Sequence, residues 1–94
     1  MSHVPNEPAT TGLYPIIDVA GRHPHILTDF IGATTITVST DGEPRRLVGV
    51  GGLSDRGIEF RQKDAAGADG RDLRVWAITE DGDTTFWAEP HAAR

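Results

Sequence analysis

Leu73-Arg74-Val75-Trp76-Ala77-Ile78-Thr79 and Thr84-Thr85-Phe86-Trp87-Ala88-Glu89 flank the tetrapeptide Glu80-Asp81-Gly82-Asp83, and the reading of this stretch decides the fold. An Asp-Gly pair between two β-rich runs signals a two-residue hairpin, because a type I′ turn needs φ > 0 at both central positions and these residues tolerate it. Counting outward from Asp81-Gly82 sets Glu80 opposite Asp83, Ile78 opposite Thr85, Trp76 opposite Trp87 and Arg74 opposite Glu89. Both indoles then share one face. The other face carries Val75, Ala77, Phe86 and Ala88, so the ribbon is apolar on both sides, whereas a sheet solvated on one side is apolar only on the other. One face is expected to be core. The second needs a cover, from residues 26–31 of the same chain or from another molecule.

Upstream of the hairpin, Asp64 to Asp72 reads as a long loop rich in Gly and Asp. Before it the chain alternates as an antiparallel meander. Ala33 to Thr40 points Ile36 and Val38 inward and threonines outward, Asp41-Gly42-Glu43-Pro44 turns the chain, and Arg45 to Val50 returns with Leu47 on the face of Ile36 and Val38. Asp55-Arg56-Gly57 closes the next hairpin into Ile58 to Lys63, with Ile58 and Phe60 inward and the charges outward. Leu13 to Val19 reads as a first strand in which Pro15 favours a sheet edge or delays pairing until Ile16. Ala20-Gly21-Arg22 turns the chain. Residues 24–31 fit a short helix, with Pro24 at its first position, Gly32 after its end, and Ile26, Leu27, Phe30 and Ile31 along one side, while their Ile, Thr and Phe residues also suit a strand.

The expected fold is therefore mainly β, a small antiparallel meander closing into a barrel or two-layer sandwich with one short helix. Residues 1–11 read as a flexible or extended arm, 12–89 as a single β domain and 90–94 as a tail. The 94-residue length is that of one domain.

Composition narrows the function. With no cysteine there is no disulfide framework, thiolate metal site or Cys nucleophile. A net charge of −5, with no basic cluster beyond Arg45-Arg46, argues against nucleic acid as a partner. No stretch approaches the roughly 20 apolar residues of a membrane helix, and the N-terminus lacks the cationic start and apolar run of a signal peptide. The expectation is a cytoplasmic protein, or a component of a particle assembled in the cytoplasm. Only Glu7, Asp18, Arg22 and Asp29 carry charge within the first forty residues. Charge depletion of that kind marks the core of interfaces, although a surface rich in Thr and Ser would look the same.

Candidate chemistry is sparse. On a strand, His23 and His25 would project from one side with Asp29 near by, the side-chain types of a metal site. The stretch resembles the first half of a cupin metal motif over about ten residues. No counterpart of the second cupin motif follows, because the only later histidine is His91. Gly49-Val50-Gly51-Gly52 lacks the Lys-Ser/Thr pair and helix that would make it a phosphate loop, and reads instead as a bend in a barrel strand. The acidic turns lack the continuing ligand pattern of a calcium loop. Ser2, Ser39 and Ser54 lack a nucleophile elbow.

What remains is a face for contact. The expected function is a non-catalytic protein-binding or assembly module needing no cofactor, with Trp76, Trp87, Ile78, Arg74 and Glu89 as the interface. It would be a small structural subunit of a homo-oligomer or larger complex, in shape like components of virus-like particles. Two alternatives stand beside it. One is an acidic inhibitor or immunity-type protein, masking a basic partner with Glu80, Asp81 and Asp83. The other is a small metal- or ligand-binding barrel using His23 and His25.

Overall fold

The hairpin forms in the register that its turn dictates. In a computed structural model that describes residues 12–63 and 70–90, β5 (Leu73–Glu80) and β6 (Asp83–Pro90) pair with Trp76 opposite Trp87 and Arg74 opposite Glu89. Ahead of them run β1 (Tyr14–Val19), β2 (Thr35–Thr40), β3 (Glu43–Ser54) and β4 (Gly57–Gln62). Each strand pairs antiparallel with the next and β6 pairs with β1, so the meander closes into a six-stranded barrel rather than a sandwich. The arm at 1–11, loop residues 64–69 and tail residues 91–94 lie outside the described residues; Pro90 ends β6.

The turns follow one rule. Asp41 and Asp81 both sit at positive φ and each precedes a positive-φ glycine, the type I′ pattern that matches strand twist. Ala20-Gly21 adopts the same conformation, with Val19 and Arg22 exchanging backbone hydrogen bonds of 2.8 and 2.9 Å.

Alternation along the strands builds the interior. Ile36, Val38, Leu47, Ile58 and Phe60 are buried as their spacing requires, and Leu73, Val75, Phe86 and Ala88 join them from the last hairpin. Strand β1 departs from simple alternation. Ile16 pairs with Val38 but Asp18 with Thr37, so Ile17 is an extra, outward residue at a bulge, and both Ile16 and Val19 point inward. Pro15 does not force β1 to an open edge, because it is accommodated opposite Trp87 at the closing seam.

Residues 24–31 contract to a single 3₁₀ turn, Leu27–Phe30, which begins three residues after Pro24. Its apolar residues do not share one buried face. Phe30 is fully buried, its ring 5.5 Å from that of Phe86, and Leu27 packs at the margin of the core, while Ile26 and Ile31 stay exposed. A 3₁₀ turn repeats every three residues, which aligns Leu27 with Phe30, while Ile26 and Ile31 flank the turn in extended conformations.

This turn plugs the barrel because β3 makes room for it. Gly49 and Gly51 sit at inward positions where a Cβ would collide with the carbonyl oxygens of Arg61 and Phe30 respectively. Backbone bonds from the Gly32 N–H to the Gly51 oxygen and from the Gly51 N–H to the Ala33 oxygen, both 2.8 Å, then tie the plug to the strand. The glycines thus serve close packing. Gly51→Ala is expected to destabilise the fold by about 1–3 kcal/mol through overpacking, lowering the thermal midpoint by about 4–8 °C per kcal/mol. Gly52→Ala, where a Cβ meets nothing within 4 Å, should be neutral or slightly stabilising; equal midpoints for the two variants would contradict this packing.

Candidate functional site

The five residues expected at an interface form one connected outer surface. Register places Glu59 of β4 opposite Arg74 of β5, and Arg74 opposite Glu89 of β6. One step along the barrel, Trp76 lies opposite Trp87 and Trp87 opposite Pro15 of β1. A charged row therefore borders an apolar row, with Ile78 on the far side of Trp76. Residues 26–31 do not cover this surface, because their buried member Phe30 packs inside against Phe86. Trp76 remains 36% exposed, and Trp87 and Ile78 are half-buried.

The polar ends of the two indoles are satisfied locally. Trp76 donates its Nε1–H to Glu89 Oε1 at 2.8 Å, while the Arg74 guanidinium carbon lies 3.9 Å from the centre of its ring. Trp87 donates to Thr85 Oγ1 at 2.9 Å, and that hydroxyl in turn donates to the Ile78 carbonyl at 3.4 Å. A cation over an exposed indole contributes about 0.5–1 kcal/mol. Its larger consequence is orientation: the Trp76 ring is held between Arg74 and Glu89.

Glu59 differs from its sequence reading. It does point outward, yet it is only 7% exposed, so the outer face at this position is not solvent. Burying a carboxyl group costs free energy unless partners compensate, and Arg74 stands directly opposite. Alternation in sequence predicts the side of a sheet, but neighbouring rows decide the exposure.

His23, His25 and Asp29 do come together, around a recess of about 190 Å³ that Val19 and Arg22 also line. The imidazole centres are 5.9 Å apart. Asp29 is occupied structurally, because its Oδ2 accepts from the backbone N–H groups of His25 at 2.9 Å and Ile26 at 3.2 Å, capping the 3₁₀ turn. Those two hydrogen bonds hold its carboxyl below the ordinary aspartate value. Among the described residues, no group of three or more His, Cys, Asp or Glu side chains is placed to hold a metal ion.

A second concavity, about 530 Å³, lies over the outer face of β3 and β4, between Val50, Leu53, Arg61 and Lys63. Gly52 and Glu59, opposite each other, also line it. Sequence reasoning did not find it, although an outward glycine among larger residues is the available signal. Its rim mixes both signs of charge with exposed aliphatic side chains, so it selects no particular chemistry.

No helix in the described residues is long and apolar enough to cross a membrane. Comparison of the chain with protein-family models, with curated proteins and with solved structures finds no match.

Asp29 yields a pH prediction. A folded-state carboxyl held below its unfolded value of about 3.9 contributes stability that is complete above that value and is lost as pH falls through the folded one. Asp29→Asn should therefore lower the thermal midpoint at neutral pH, and the gap to the parent chain should narrow as pH falls below the ordinary aspartate value. A gap that persists unchanged in acid would show that the ionised carboxylate is not what caps the turn.

Proposed function

We propose that the protein is a non-catalytic binding or assembly module, a small structural subunit that joins a homo-oligomer or a larger complex through the outer face of β5 and β6. The observation that carries this reading is the row Trp76–Trp87–Pro15 on the outside of a closed barrel. A chain of 94 residues has few large side chains, and a small domain buries a modest share of its surface. Placing both tryptophans outside the interior therefore has a cost in core size that contact with a partner offsets. Aromatic anchors at the centre of a patch commonly dominate binding energy, with a polar rim around them. Arg74 and Glu89 supply that rim.

The pinned indoles fit the same role. Each side chain ordered before contact reduces the entropy lost on association.

Two measurements test the reading. Recovered from the cell that makes it, the chain should scatter light as a species larger than the monomer or carry a second protein; a clean monomer with no other chain attached would overturn the proposal. Trp87→Ala should weaken that association by about 2 kcal/mol or more, roughly thirtyfold in Kd, and leave the domain folded by circular dichroism. Trp76→Ala should act in the same direction. A loss of about 3–5 kcal/mol of fold stability instead would identify the pair as core.

A further inference from the structure

The outer face of the last hairpin carries the same chemistry at both ends, with a counter-ion among the described residues at only one of them. At the base, Arg74 lies on the Trp76 ring with Glu59 opposite it on one side and Glu89 on the other. Toward the tip, beyond Trp87, Ile78 and Thr85, Glu80 stands directly opposite Asp83 with Asp81 in the turn between them. All three are exposed, and residues 79–84 include neither lysine nor arginine. Like charges opposed across a ribbon are destabilising. The tip therefore gains from an external cation.

We propose that this face docks an extended protein segment that presents arginine, with one guanidinium laid on Trp87 and another between Glu80 and Asp83. The inference rests on reading the face as a docking surface and names the chemistry of its partner. The chain itself shows the contact in miniature, in the Arg74–Trp76–Glu89 arrangement. Trp87 and Asp83 lie four residues apart on one strand, a rise of about 13–14 Å, so arginines at i and i+4 of an extended partner span them. The residue between, at i+2, falls over Ile78 and is apolar. Guanidinium suits the site better than ammonium, because its plane stacks on an indole and its fork engages two carboxylates.

Charge disfavours a second copy of the chain on this face, so of the two assemblies proposed above it is the larger complex that this face joins. A copy would bring its own Glu80, Asp81 and Asp83 and a net charge of −5, while its Arg74 is already engaged on Trp76. Juxtaposed like charges suppress that pairing.

The probe is a capped Arg-Thr-Val-Thr-Arg peptide, titrated into the whole chain while the two indole N–H signals are followed by nuclear magnetic resonance. Its glutamate counterpart, Glu-Thr-Val-Thr-Glu, is the control. The arginine peptide should shift the Trp87 signal, and the glutamate peptide should not. Affinity should fall about tenfold or more in the Glu80→Gln/Asp83→Asn double variant, and should weaken strongly between about 0.02 and 0.5 M salt. Lack of any shift at millimolar arginine peptide, equal binding of both peptides, or unchanged affinity in the double variant would each overturn the inference. A Trp87-dependent self-association seen by light scattering without arginine-peptide binding would overturn the cationic partner and leave the docking face standing.

Discussion

A six-stranded barrel has a narrow interior, and this one is filled by letting a backbone segment enter where two side chains are missing. Without a Cβ at Gly49 and Gly51, the carbonyl groups of Arg61 and Phe30 approach β3 directly, and Phe30 and Phe60 occupy the space. The plug also compensates for a short seam. Strands β4 and β5 pair only through Glu59–Arg74 and Phe60–Leu73, and the 3₁₀ turn packs against both. Interiors at crystal-like density transmit small displacements, so the placement of the outer row that crosses this seam depends on two absent methyl groups inside it.

The same short pairings shape the candidate face. Strand β1 meets β6 only at Ala88 and Trp87, and β4 meets β5 only at Arg74 and Leu73. Beyond those contacts the last hairpin continues as a two-stranded ribbon, and the molecule measures 43 × 30 × 29 Å. A lone ribbon is marginal in water. Here Phe86 anchors it against Phe30, and a Thr79–Thr84 hydroxyl pair at 2.9 Å ties its strands near the tip. The acidic turn is thus carried on a firm support, which is how a small domain presents charge at a distance from its core.

Much of this was legible in the chain. Dipeptides such as Asp41-Gly42 and Asp81-Gly82 report backbone φ directly, and once a turn is placed the period of two carries the register outward, so the Trp76–Trp87 pair and the inward set from Ile36 to Phe60 followed. What escaped was of another kind. The bulge at Ile17 leaves no compositional trace, since any residue can be the extra one. The glycines of β3 signalled a bend without saying what would pass them, because that depended on Phe30, far away in sequence. Helical spacing across Ile26, Leu27, Phe30 and Ile31 suggested one apolar side, but the turn is only four residues long and leaves Ile26 and Ile31 outside it in extended backbone. At Glu59 the alternation was right about direction, and the cross-strand row made an outward position a buried one.

The candidate face was found from the same local rules, yet its chemistry needed three dimensions. Sequence placed Arg74 and Glu89 across from each other and suggested a rim. In the structure both also engage Trp76, one on its ring and one on its nitrogen. A charge committed to a neighbouring indole is less available to a partner, so the free electrostatic character of the face comes from Glu80, Asp81 and Asp83 at the other end. Apolar rows attract many surfaces without choosing among them. Discrimination comes from what is left unpaired, and on this hairpin that is negative charge beside an aromatic plane.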